Sequence, residues 1–242
     1  MNLGVIFAGG SGNRMQTKSK PKQFLDLDCK PIIIYTIEIF DNHPDIDGIV
    51  VVCLESWIEY LKKMLRKFEI NKVVDIVPGG KSGQESIYKG LCAAERYAKA
   101  QDEEDCIVLI HDGVRPLITE DTITSNIKTV KEKGNCITIV PATETVIVVN
   151  DDDSLEIPTR SRTRMARAPQ SFYLKDIITA HRKAISENNK EFIDSCSMMN
   201  YYGHHLSTTE GPMENIKITT PSDFFIFRAM VKVRENQQIF GY

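Results

Sequence analysis

Five short apolar runs recur through the first two thirds of the chain: Leu3 to Phe7, Ile49 to Cys53, Val73 to Val77, Ile107 to Ile110 and Ile137 to Val140. Runs of this length without polar alternation suit strands buried on both faces, and such strands need helices above and below them. The stretches between supply those helices. Ile32 to Phe40 follows Pro31, a favoured first helical residue, while Trp57 to Phe68 and Ser86 to Ala98 carry apolar residues at helical spacing. Thr119 to Lys133 adds another, closed by Gly134. The expected fold is α/β, a Rossmann-like, mostly parallel sheet with flanking helices. With 42% hydrophobic residues in 242, the chain can bury one such core, so a single domain over residues 1–242 is expected.

The pattern changes after Pro141. Val146 to Val149 and the region of Ile157 flank a polar tip, Asn150 to Ser154, which reads as a projecting β-hairpin arm over about 143–165. Helices are then expected near Leu174 to Glu187 and Ser195 to Tyr202, a strand near Asn215 to Thr219, and a last helix after Pro221. A hairpin too projecting to pack on its own domain needs a partner, so a homodimer through this arm is expected.

Charge narrows the function. Thirty basic and 33 acidic residues leave a net charge of -3, which argues against a general binder of nucleic acid or membrane surfaces. The six cysteines (29, 53, 92, 106, 136 and 196) form no CxxC pair and read as reduced thiols. The start MNLGVIFAGG lacks the basic lead-in and continuous apolar stretch of a secretion signal, and no run approaches membrane-spanning length, so a cytoplasmic protein is expected.

Parallel sheets bind ligands beyond the carboxyl ends of their strands, so the segments after Phe7, Val77 and Ile110 should converge on one crevice. The first is Ala8-Gly9-Gly10-Ser11-Gly12-Asn13-Arg14-Met15, followed by Lys20-Pro21-Lys22-Gln23-Phe24. Small residues there let backbone N–H groups approach phosphate oxygens, and Arg14 and Lys22 can neutralise a triphosphate. A glycine-rich turn alone is equally a tight turn with solvated lysines. Two common phosphate loops fail on spacing. A dinucleotide fingerprint needs glycine where Met15 stands, and Gly80-Lys81-Ser82 would need glycine at Asp75 to be a P-loop.

AGGSGNRM followed by PKQF resembles the signature of the cytidylyltransferase family that contains the 2-C-methyl-D-erythritol 4-phosphate and ribitol-5-phosphate enzymes. The resemblance continues through GGKSGQES (79–86), HDGVRP (111–116), PATET (141–145), APQSF (168–172) and NIKITTPSD (215–223). It implies an enzyme that moves CMP from CTP to a sugar-alcohol phosphate with Mg²⁺ and releases pyrophosphate. Arg14, Lys22 and Lys217 would be catalytic cations. Ala8, Gly9, Gly10, Gly12, Gly79, Gly80 and Ser86 would form the CTP pocket. Asp112 would lie near Mg²⁺ and the nucleotide, with Arg115 supporting its loop. Thr145, Arg160 and Lys217 would hold the polyol phosphate, the first two reaching across the dimer from the arm. The AGG opening, the step from Met15 to Lys22, PKQFLDL and VRPLIT look more like the ribitol-phosphate branch, which feeds teichoic-acid or capsular polymers, than the methylerythritol branch of isoprenoid synthesis.

The residue types agree with that chemistry. A phosphate monoester is already anionic at neutral pH, so positioning and charge neutralisation can supply catalysis without a general base. On position alone Asp112 reads more readily as a turn-capping carboxylate, and its place within HDGVRP reverses that; Arg160 could be a solvated charge among Arg162, Arg164 and Arg167, but convergent arginines suit a phosphate ligand. Lys217, between Ile216 and Ile218, needs a partner if buried. His204 and His205 have no metal-ligand spacing and read as surface residues. The chain departs from the family at Gly83, where arginine is usual, at Gly113, where a side chain is commoner, and in the basic stretch Arg164 to Ala168. A dinucleotide-binding or non-catalytic α/β module remains the alternative from another class.

Overall fold

The computed structural model describes residues 1–9, 20–189 and 192–240. In chain order the elements are β1 (Asn2–Ala8), β2 (Asp26–Leu27), β3 (Lys30–Pro31), α1 (Ile32–Asn42), β4 (Gly48–Cys53), α2 (Ile58–Lys67), β5 (Val73–Pro78) and α3 (Gly83–Ala100). They continue with β6 (Ile107–Asp112), α4 (Glu120–Lys133), β7 (Asn135–Pro141), β8 (Val148–Val149), β9 (Leu155–Glu156), β10 (Arg164–Tyr173), α5 (Leu174–Ser186), α6 (Ser195–Tyr201), β11 (Thr208–Glu210) and α7 (Pro221–Phe240).

Seven strands form one sheet in the order β11-β7-β10-β6-β1-β4-β5. All pair in parallel except β10, which runs antiparallel between β6 and β7. The five apolar runs are therefore strands of a mostly parallel sheet, as expected. Alternate residues of each strand feed opposite faces: Leu3, Val5 and Val50 pack with Leu91, Ala94 and Ile177 on one side. Ile6, Ile49 and Val51 pack with Ile37, Phe40, Leu61 and Ile127 on the other. Gly134 closes α4 at a positive φ of 89°, a conformation glycine adopts without a Cβ penalty.

Two expectations need correction. Residues Asn215 to Thr219 form no strand; Ile218 is buried and its N–H bonds to the Val114 carbonyl at 2.9 Å, a single anchor rather than a ladder. The late strand is instead β11, at one edge of the sheet, and a ten-residue strand, β10, lies where only basic residues and the APQSF motif had been noted. The hairpin is present as β8 and β9 around the turn Asn150 to Ser154. Its Ile147, Val149, Leu155 and Ile157 are each more than half exposed. Among the described residues no helix is long and apolar enough to cross a membrane.

Candidate active site

The ends of β1, β4, β5 and β6 lie side by side, which brings Ala8, Cys53, Pro78 and Asp112 to one edge of the sheet. Beyond them two glycine loops touch. A Cβ on Gly79 would stand 3.4 Å from the Gly9 Cα and 3.4 Å from Ser86 Oγ, so larger residues would separate the loops. Ser86 Oγ accepts the Gly80 N–H at 2.9 Å and donates to the Ser82 carbonyl at 2.9 Å. The Gly79 N–H bonds to the Cys53 carbonyl at 2.8 Å. Ala8, Gly9, Gly79, Gly80 and Ser86 thus converge, as their motifs suggested. Gly10, Gly12 and Arg14 lie outside the described residues.

Lys22 opens a short 3-10 turn, Lys22–Phe24, whose other two residues are buried. Gln23 Nε2 donates to the Ala8 carbonyl at 2.6 Å, and Phe24 stacks on Trp57 at 4.7 Å. Gln23 was not anticipated, although a polar residue between Lys22 and an aromatic anchor was the available signal. This clamp fixes the base of Lys22, whose Nζ donates to the Ile218 carbonyl at 3.2 Å. Lys22 therefore ends beside the segment that carries Lys217.

Asp112 is the centre of the charged cluster. Arg115 Nε meets Oδ2 at 2.7 Å and Lys217 Nζ meets Oδ1 at 2.5 Å. Arg115 also donates to the Asn215 carbonyl at 2.9 Å, and Asn215 Nδ2 donates to the Ala168 carbonyl at 2.7 Å. Asn215 is fully buried and ties β10 to this loop; it too was not anticipated. Lys217 thus has the partner its sequence position called for, from a loop rather than a strand. One carboxylate and two cations leave the cluster positive, and Lys22 adds to that charge, which suits a polyanionic ligand. His111 lies behind: burial lowers it to about 4, so it is neutral, with Nε2 within 3.2 Å of the Arg115 carbonyl.

The departures at two glycines have different causes. A Cβ on Gly113 would come within 3.0 Å of the Ala8 Cβ and 3.4 Å of Ile6 Cγ2, so close packing against β1 favours glycine there. A Cβ on Gly83 would meet nothing within 4 Å, and packing does not explain that residue.

Burial alone would raise the Asp112 carboxyl, but Lys217 and then Arg115 outweigh it and hold the group at about 2, below its ordinary 3.8. A depressed folded-state value stabilises above pH 3.8, and that contribution disappears as pH falls toward 2. The stability gap between wild type and Asp112→Asn, from urea midpoints, should therefore narrow by about 2 kcal/mol between pH 5 and pH 2. A gap independent of pH would show that the ion pairs do not hold the carboxylate.

Thr145 and Arg160 stand apart from this cluster. Both are exposed on the arm, and among the described residues no hydrogen bond or ion pair joins either side chain to Asp112, Arg115 or Lys217. His204 and His205 are exposed, as expected.

A parallel sheet with glycine-lined loops and a net-positive cluster at its strand ends is the framework of a nucleotidyltransferase. Residues 3–233 match the family described as IspD, 2-C-methyl-D-erythritol 4-phosphate cytidylyltransferase, and the chain belongs to that family. It is 53% identical over 242 residues to a protein of Streptococcus agalactiae serotype III named ribitol-5-phosphate cytidylyltransferase, covering 100% of both chains. It is 37% identical over 227 residues to a Clostridium botulinum protein named 2-C-methyl-D-erythritol 4-phosphate cytidylyltransferase, covering 93% of this chain and 95% of the relative. In three dimensions it resembles the crystal structure of 4-diphosphocytidyl-2C-methyl-D-erythritol synthase from Anaerococcus prevotii, with a TM-score of 0.80, 24% identity and 96% of each chain covered.

Proposed function

We propose that this chain transfers the cytidylyl group of CTP to ribitol 5-phosphate, giving CDP-ribitol and pyrophosphate. The observation that carries the choice of acceptor is full-length identity of 53% to a ribitol-5-phosphate cytidylyltransferase, against 37% to a methylerythritol-phosphate enzyme. An oxygen of the acceptor's phosphate attacks the α-phosphorus, and the bond from that phosphorus to the α,β-bridging oxygen breaks as pyrophosphate leaves. The acceptor is already anionic, so the protein's task is to hold two anions together and neutralise them. Gly9, Gly79, Gly80 and Ser86 surround the cytosine, with Ala8 at their base. Lys22, Lys217 and Arg14 neutralise the phosphates. CTP and sugar-alcohol phosphates are soluble metabolites, which makes the cytoplasm the expected compartment.

A magnesium ion fits this site in one way. Among the described residues no three His, Cys, Asp or Glu side chains are grouped to hold a metal, so the ion would come with the triphosphate and take Asp112 as its protein ligand. Mg²⁺ is commonly held by one or two carboxylates together with substrate phosphates. Bound there, it would supply charge neutralisation on the leaving pyrophosphate. Both Asp112 oxygens are engaged in this structure, and Lys217, 39% exposed, is the partner better able to yield. Lys217 would then turn to a substrate phosphate.

A second copy completes the reading. Thr145 and Arg160 are exposed on the arm, and its exposed Ile147, Val149, Leu155 and Ile157 favour contact with another subunit. We infer a twofold dimer in which each arm brings those residues to the partner's acceptor phosphate.

A panel of acceptors with CTP and Mg²⁺ tests the proposal. Ribitol 5-phosphate should release pyrophosphate at least tenfold faster than methylerythritol 4-phosphate, and a chelator should abolish release. Faster turnover with the methylerythritol substrate, which the family description would favour, would reverse the assignment. Equal turnover with ATP or GTP would remove the cytosine pocket.

A further inference from the structure

The basic stretch in which the chain departs from its family runs up to Arg167, a residue with no part in the mechanism above. Arg160, Arg162 and Arg164 are exposed, but Arg167 is half-buried, and its Nε lies away from solvent without a hydrogen-bond partner. Among the described residues no ion pair or hydrogen bond holds its side chain. The fold nevertheless sets it beside the charged cluster. β10 runs antiparallel to β6 with Gln170 opposite Ile110, so Arg167 to Pro169 lie toward the carboxyl end of β6, where Asp112 stands. The Ala168 carbonyl accepts from Asn215 Nδ2 at 2.7 Å, and the Asn215 carbonyl accepts from Arg115 Nη1 at 2.9 Å. Burial first, and then the nearby Arg115 charge, lower Arg167 below the ordinary arginine value, though a guanidinium stays charged near neutral pH. The nearest carboxylate of the cluster has nothing left for it, since Arg115 takes Asp112 Oδ2 and Lys217 takes Oδ1. A partly buried cation that faces another cation and has no counter-ion is costly, and an anion bound beside it removes that cost.

Strand order separates the two anions that meet here. The glycine loops assigned to cytosine follow β1 and β5, whereas β10 lies across β6 from both. A ligand that reaches Arg167 therefore approaches Asp112 from the side away from the nucleotide loops. The arm lies on that side too, since β10 begins where the arm ends. We propose that Arg167 grips the phosphate of the acceptor and is a specificity-determining residue of this chain, an assignment that rests on the cytidylyl-transfer reading. A guanidinium offers a planar fork that takes two oxygens of one phosphate. A monoester held in that way keeps its third free oxygen for attack on the α-phosphorus, and the fork's charge offsets part of the repulsion between the two substrates.

Arg167→Gln keeps a polar side chain but removes the charge and the fork. Its KM for ribitol 5-phosphate should rise about tenfold or more, the usual loss for a charge-assisted hydrogen bond, while KM for CTP stays within about twofold of wild type. Arg167→Lys restores the charge without the fork and should recover part of the loss. Inorganic phosphate should compete with the acceptor in the wild-type protein, and about tenfold more weakly in the glutamine variant. If that variant does not fold, the lysine variant by itself should raise the acceptor KM about threefold or more and weaken phosphate competition to match. An unchanged acceptor KM would overturn the assignment. Equal rises in both KM values would overturn it as well, and so would loss of the dimer by light scattering, which would make Arg167 a structural side chain or the partner of a carboxylate on a second copy. Equal inhibition by phosphate in wild type and variant would move the fork from the phosphate to the hydroxyl chain and overturn it too. Turnover of methylerythritol 4-phosphate alone would reverse the choice of acceptor and leave Arg167 to be judged by the same KM split on that phosphate. Wild-type protein that releases no pyrophosphate with any polyol phosphate would overturn the cytidylyl reading, and the role of Arg167 with it.

Discussion

Lys22→Ala is expected to lower kcat for pyrophosphate release by roughly 10²-fold or more while the protein remains folded, because one preorganised charge donor typically supplies a few kcal/mol of transition-state stabilisation. The structure gives a reason to expect this separation of activity from stability. Lys22 rises from a turn fixed by Gln23 on the Ala8 carbonyl and by Phe24 on Trp57, so its position does not depend on its own ammonium group. Its Nζ also donates to the Ile218 carbonyl at 3.2 Å, so one of its contacts is to backbone on the neighbouring loop. Lys22→Arg should recover only part of the activity, since a planar fork does not reproduce a compact ammonium in a tight site. Near-normal kcat in the alanine variant would make Lys22 a surface residue and remove the mechanism.

Mixing two inactive variants is expected to restore activity. If the arm serves the neighbouring subunit, Lys22→Ala and Arg160→Ala damage different subunits' contributions to one site. A mixed dimer then holds one site with both defects and one with neither. Random reassociation makes half the dimers mixed, so on the order of a quarter of wild-type activity should return from variants that are each nearly inactive. Arg160 lies exposed, outside the cluster formed by Asp112, Arg115 and Lys217 of its own chain, which is the geometry this outcome needs. Pyrophosphate release from the co-refolded mixture, with subunit exchange verified, is the measurement. No recovery would show that Arg160 works within its own chain, and a monomer by light scattering would remove the arm's proposed role.

The parallel half of the sheet was legible because each of its strands is a short apolar run, and a strand buried on both faces leaves little freedom in its sequence. β10 was not, for a physical reason. Its first residues, Arg164 to Ala166, are exposed beside the arm, while Ala168 to Phe172 are buried, with a register irregularity between Ala166 and Gln170. Neither a continuous apolar run nor a regular alternation survives such a change of surroundings. The segment at Asn215 to Thr219 erred the other way: Ile216 and Ile218 alternate like strand residues, yet only Ile218 is fully buried. At the site, the glycines and Lys22 could be found from local motifs. That Lys217 would meet Asp112, and that Asn215 would join Arg115 to Ala168, depended on contacts between distant segments that no local window contains.

The place of β10 also constrains how the chain can assemble. β7 pairs only with β10 and β11, both of which follow it in sequence, whereas β1, β4, β5 and β6 can pair among themselves as soon as Asp112 has been made. A chain emerging from the ribosome therefore carries β7 without a sheet neighbour until the arm has passed and Arg164 to Tyr173 slots in beside β6. Until then the inner edge of β6 exposes unpaired backbone groups, the kind of edge on which chains aggregate. The residues that lead from the arm into the sheet are thus also the ones that join β7 to the rest of the sheet during synthesis.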